Sequence, residues 1–203
     1  MKNGLLTAVF YTIGLIFLSF GISMMILANL GAGPWDALFV ALSDHLGLTV
    51  GSWMFIAGII LILINGYLLK KKPDFSAIIT IFTIGLCIDF WLLIVFPGFA
   101  AEFLAVRFAM LLGGIIIIAI GVSMYLQANY ARNPIDNLMM AIHFRTGKSL
   151  SFSKTVTEVS VMIVAFIIGG PIGVGTVLVA FGIGPLIQFF YVPVTKIRTN
   201  LAQ

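Results

Sequence analysis

Apolar positions gather into six long runs, at roughly 6–28, 50–69, 76–97, 103–127, 153–169 and 174–193, each near the ~20 residues a helix needs to cross a bilayer. Two shorter apolar stretches, about 34–45 and 134–145, follow the first and fourth runs and contain Ala37-Leu-Phe-Val-Ala-Leu42 and Leu138-Met-Met-Ala-Ile142. At roughly three turns they are too short to span, so they either dip into the membrane or lie along it. The pattern predicts an all-α integral membrane protein with six transmembrane helices.

The polar and helix-breaking positions repeat. Gly14, Ile16, Gly21, Ser23, Met24, Ala28, Asn29, Pro34, Asp36, Leu38, Ala41 and Gly47 each have an identical residue one hundred positions later. Twelve matches in the 34-residue window stand against about three expected from this composition. The chain therefore reads as one transmembrane domain, 1–203, built from repeat one (1–100) and repeat two (101–203). Each repeat holds three spans, with a short interrupted or re-entrant helix after the first.

Composition supports lipid as the solvent: 61% of the chain is apolar and 9% charged, and the mean hydropathy is +1.18. The first run is too long for a secretory leader and has an internal copy at 103–127, so it is expected to stay in the mature protein. The net charge of +4 takes its meaning from its placement. With the N-terminus inside, the cytoplasmic segments hold Lys2, Lys70, Lys71, Lys72, Arg132, Arg145, Lys148, Lys154, Lys196 and Arg198, and only Arg107 falls outside. This asymmetry predicts cytoplasmic termini and calls for no nucleic-acid partner. Three spans per repeat then turn the second repeat upside down, giving a 3+3 inverted topology of the kind many secondary transporters use.

The motif kept in both repeats is Ala28-Asn-Leu-Gly-Ala-Gly-Pro-Trp-Asp36 and Ala128-Asn-Tyr-Ala-Arg-Asn-Pro-Ile-Asp136. A long helix is expected to end near Asn29 or Asn129. Pro34 or Pro134 then opens the short helix, capped by Gly33 or Asn133. Asp36 and Asp136 fall in its first turn, where the helix dipole favours negative charge. The plain reading is a helix–turn–helix corner. The functional reading is that, if the short helices dip, the broken backbone must face protein or water, because lipid cannot satisfy it, and a cavity forms there.

Asp89 and Glu158 are ionisable groups at membrane depth, where such residues tend to face a cavity or a partner. Glu158 has a local alternative in Lys154, four residues earlier on the same helix face. Asp89 has Arg107 of the next span as a candidate partner, and it aligns with Gln188 at an offset of 99. Gln127, Asn129 and Asn65 add hydrogen-bonding groups that serve either a route or interhelical contacts. The glycine pairs Gly14/Gly21 and Gly114/Gly121 predict close helix packing. Gly169-Gly-Pro-Ile-Gly-Val-Gly-Thr176 lacks nucleotide-binding spacing and reads as a tight outer turn. Cys87 is the lone cysteine, which rules out an intrachain disulfide, and His45 and His143 lack companions at ligand spacing. No metal, no cofactor and no enzymatic nucleophile–base pair is expected.

At the paired corners, and again at Gly175-Thr-Val-Leu-Val-Ala-Phe-Gly-Ile-Gly-Pro-Leu-Ile-Gln-Phe-Phe190, the chain resembles the YczE/YyaS/YitT group of bacterial integral membrane proteins over nearly its whole length. The group's Gly-x-x-Pro-x-Asp corner fits Gly31, Pro34 and Asp36, while the second copy departs from it with Ala131, Arg132 and Asn133. The resemblance implies a multi-pass protein of the bacterial plasma membrane and supplies no substrate.

The expectation is a secondary transporter that moves a small polar solute by alternating access. Asn29, Pro34, Asp36, Asn129, Pro134 and Asp136 stand at the helix breaks, and Asp89, Glu158, Gln188 and Gln127 line the route. The rivals are a non-transporting accessory protein that binds a partner or a lipid, and a small-solute channel. About 200 residues in six spans is small for a carrier and leaves room for a homodimer in the bilayer.

Overall fold

The computed structural model describes residues 2–128 and 130–202, and among them the chain forms eight α-helices and no strand. These are α1 (Lys2–Ala28), α2 (Pro34–Leu46), α3 (Val50–Leu69), α4 (Ala77–Asp89), α5 (Leu104–Gln127), α6 (Pro134–Thr146), α7 (Leu150–Ile167) and α8 (Val174–Ala202). Six of them, α1, α3, α4 with its extension, α5, α7 and α8, are long and apolar enough to cross a membrane. The protein is a multi-pass membrane protein, with α2 and α6 as its two short helices.

Two helix ends differ from the expected runs. α4 continues through a π-helical turn, Phe90–Val95, closed by Phe96 N–H donating to Trp91 O at 2.9 Å. α8 runs past 193 to Ala202 despite Pro185 and Pro193 within it. A proline in a membrane helix is tolerated where neighbouring groups satisfy the freed carbonyl, and hydropathy reads only the apolar part of a helix whose end carries Lys196 and Arg198.

The centre of the fold is the crossing of α1 and α5. A Cβ added to Gly14 would sit 2.8 Å from Gly121 O, and one on Gly21 would sit 2.6 Å from Gly114 O. The reciprocal contacts are as close: 2.7 Å from Gly121 to Gly14 O, and 2.8 Å from Gly114 to Gly21 O. The helices run antiparallel with backbones touching, and each contact has its image one hundred residues away. The same exchange holds further out, where α2 packs on α7 and α6 packs on α3. Leu15, Leu18, Met25, Ile84, Ile88 and Leu111 fill the core between them.

The first corner is tied from two sides. Asn29 closes α1 in a left-handed conformation (φ 50°), as asparagine can at a helix end. Arg107 donates through Nε to Ala28 O at 2.8 Å and through Nη2 to Asn29 O, satisfying carbonyls the helix end leaves open. Gly31, at φ +105°, lies so close to Gly173 that a Cβ would meet its nitrogen at 2.6 Å. Ala32 N–H donates to Pro171 O at 3.0 Å, and Gly175 N–H to Leu30 O at 2.9 Å. The glycine-rich segment thus seats the first corner. Arg107→Met is expected to lower the thermal unfolding temperature in detergent by roughly 3–10 °C, from the loss of two charge-assisted bonds.

Candidate functional site

Both short helices begin as their sequences dictate. Pro34 and Pro134 open α2 and α6, and Asn133 Oδ1 accepts from Ile135 N–H at 3.1 Å. Gly33 has no side chain to cap with, and the Asp36 carboxylate folds back over it, leaving 2.7 Å between Oδ2 and the place of a Cβ. Each aspartate is therefore held at the inner tip of a short helix beside a broken backbone.

The two tips face one cavity of about 160 Å3. Its walls are largely pairs related by the repeat: Leu18 and Ile118, Ile22 and Val122, Met25 and Tyr125, Gly33 and Asn133, Trp35 and Ile135, Asp36 and Asp136. Ile84 and Ile183 correspond in the same way at an offset of 99. One pair differs in charge. Met54 lines the first-repeat side and its counterpart Lys154 the second, followed one turn on by Glu158, whose counterpart Gly58 is not part of the wall. Lys154 and Glu158 also line a second cavity of about 360 Å3 between α6, α7 and α8, so the charged wall separates two adjoining spaces.

Tyr125 OH donates to Asp136 Oδ2 at 2.8 Å. Among the described residues Asp36 has no such donor. Burial, reinforced by the negative charge of Glu158, lifts its carboxyl from the ordinary 3.8 to about 7. Asp136 is raised for the same first reason, although its side chain reaches water through the cavity, and the Tyr125 hydrogen bond, Lys154 and Arg132 pull against the rise. Tyr125→Phe is expected to strengthen proton binding by Asp136. An infrared titration, with the Asp136 band assigned by its loss in Asp136→Asn, measures this.

The remaining sequence candidates separate. Glu158 faces the cavity, and among the described residues no ion pair at contact distance joins it to Lys154. Gln188 lies in the second cavity. Asp89 lies outside the lining of the central cavity and does not meet Arg107, which is engaged with the end of α1. Its carboxylate instead accepts from Thr49 Oγ1 at 2.5 Å and from Gly51 N–H at 2.9 Å, at the start of α3. Gln127 Nε2 donates to Tyr191 O at 3.4 Å, fastening α5 to α8, and Asn65 Nδ2 donates to Pro134 O at 2.8 Å, fastening α3 to α6. Asn29 is exposed at the end of α1, and Asn129 lies outside the described residues.

Three wall residues escape a reading by motif: Tyr125, Trp35 and Lys154 as a cavity group. The signal for Tyr125 and Lys154 was in the sequence, as polar replacements of Met25 and Met54 at matched positions. Trp35 brings a buried indole N–H that has no partner among the described residues.

A model for a family of unknown function, DUF6198, matches residues 5–192. The chain is similar to the uncharacterized protein YyaS of Bacillus subtilis strain 168, at 36% identity over 92% of each chain. It is similar to the uncharacterized membrane protein YczE of the same organism, at 35% identity over 89% of this chain and 83% of that one. An uncharacterized protein of Haemophilus influenzae is 29% identical over 93% of this chain and 87% of its own length. No solved structure matches significantly.

Proposed function

The chain belongs to DUF6198, a family of unknown function, and from its cavity we propose that it is a secondary transporter that carries a small polar solute together with protons across the bacterial plasma membrane. The observation that carries this reading is that Asp36 and Asp136, from opposite repeats, line one cavity. Substrate sites between related halves, at interrupted helices, are the common plan of such carriers. Placing both termini in the cytoplasm, as the basic residues favour, makes the halves an inverted repeat, and the antiparallel crossing of α1 and α5 supports that arrangement. α2 then enters from outside and α6 from the cytoplasm, meeting at the cavity.

Three carboxylates, Asp36, Asp136 and Glu158, face one ammonium, Lys154, so the wall favours positive charge. The helix N-termini oppose this in part, since their dipoles favour anions. A proton shared among the carboxylates resolves the conflict: it neutralises a buried charge and leaves with the solute.

Purified protein in liposomes, screened with labelled polar solutes under an imposed pH gradient, tests the proposal. Saturable, solute-specific, gradient-dependent uptake is expected. Folded protein that moves no solute in the screen overturns it in favour of an accessory role, and flux without saturation does so in favour of a channel.

A further inference from the structure

The two repeats differ most in the seam between their last two helices. α3 and α4 are packed tightly: a Cβ on Gly51 would sit 2.1 Å from Gly85 O, and one on Gly85 would sit 2.7 Å from Gly51 O. At the same place Asp89 reaches across from α4 and takes two donors from the start of α3, Thr49 Oγ1 and Gly51 N–H. The first repeat is latched.

The counterparts in the second repeat are Ser149 for Thr49, Ser151 for Gly51, Gly184 for Gly85 and Gln188 for Asp89. Here α7 and α8 are not packed as α3 and α4 are, and the second cavity lies between them. Gly184 has nothing within 4 Å of where a Cβ would be. Gln188 and Ser151 stand on opposite walls of that cavity, and Gln188 has no hydrogen-bond partner among the described residues. Ser149 caps α7 through Phe152 N–H at 3.1 Å, as Thr49 caps α3 through Ser52 N–H at 3.1 Å. The parts of the latch are present and unmade.

The helices that would move carry matched irregularities. The π-helical turn Phe90–Val95 follows Asp89, and the corresponding stretch after Gln188 contains Pro193, which removes a backbone donor. Pro185 lies beside Gly184 in the seam itself. Both sites give a helix a place to bend.

We propose that Gln188 is a gating residue that docks on the start of α7, at Ser149 and Ser151, as Asp89 docks on α3, and that the two latches are made alternately. In the state described, the Asp89 latch holds the outer seam shut and the α7–α8 seam lies open toward the cytoplasm. Closing α8 on α7 while α4 leaves α3 exchanges the roles of the halves and turns the cavity outward. The assignment of sides rests on the carrier reading; the latch itself rests on the seams. Removing the Asp89 latch raises the population of the outward state, and removing Gln188 lowers it, because each substitution weakens one end state alone.

Met54→Cys, in a Cys87→Ser background, reports the outward state: Met54 is buried, lines the central cavity and sits on α3 beside the outer seam. A membrane-impermeant maleimide is applied from outside only, to intact cells. Asp89→Ala is expected to raise the labelling rate about tenfold, and adding Gln188→Ala to return it toward the starting rate. Asp89→Asn, close in shape, serves the same comparison if the alanine variant does not yield folded protein. An unchanged rate in folded Asp89 variants overturns the proposal, as does a rise that survives Gln188→Ala in full. No solute is needed, so the two readings fail separately: a labelling switch without flux sinks the carrier and leaves the latch, and flux without a switch does the reverse.

Discussion

Asp36→Asn and Asp136→Asn are each expected to cut solute flux by about 10- to 100-fold while leaving a folded, monodisperse protein, the loss corresponding to one charge-assisted contact in the cavity. Asparagine keeps the shape of either carboxyl and preserves the short-helix tip, so the lost element is charge and the capacity to bind a proton. The two variants part company with pH. In the folded protein Asp36 keeps its proton up to about 7, whereas an unfolded aspartate releases it near 3.8. Between those values the folded state binds more protons, so stability falls as pH climbs through the window and levels above about 7. Unfolding temperatures measured across that range should slope downward in the parent, and the slope should flatten in Asp36→Asn. A parent curve without the slope would show that Asp36 stays ionised, and full flux in both variants would remove the corners from the transport route.

The second large effect is on the fold. Gly21→Val is expected to abolish folded protein or to lower its unfolding temperature by about 10 °C, corresponding to about 3 kcal/mol of overpacking. A side chain at Gly21 would meet Gly114 O at 2.6 Å and Ile118 N at 2.9 Å. Both are backbone atoms, so relief requires one helix to move away from the other. The control is Gly113→Ala on the facing helix α5, where the nearest atom is the flexible end of Met24 at 3.6 Å and little change is expected. Heating curves followed by circular dichroism in detergent compare the two. Equal stability for Gly21→Val and its parent would mean that the crossing is loose.

How much was legible followed from how local each signal is. Six spans and two short helices come from contiguous apolar runs and from prolines that fix where a helix begins, so the pattern and the fold agree closely there. Close packing was visible as four glycines whose spacing survives duplication, although which helices they join was not. Asp89 was harder. Its partners are a hydroxyl and a backbone N–H forty and thirty-eight residues away, and a backbone donor leaves no trace in a sequence; Arg107, the obvious charge, is spent on the end of α1. The four-residue spacing of Lys154 and Glu158 suggested a local ion pair, because helical periodicity says which face two residues share and nothing about what that face meets. Tyr125 drew no reading for the same reason, although its hydroxyl meets Asp136.

The α1–α5 crossing joins two copies of one patch, with Gly14 of each facing Gly21 of the other, and is therefore isologous in the sense used for two-fold dimers. Such a surface is complementary to itself: it demands nothing of the second half that the first does not already provide. A half-length chain able to insert both ways up would therefore find its mate in another molecule of its own kind, through the same four backbone contacts.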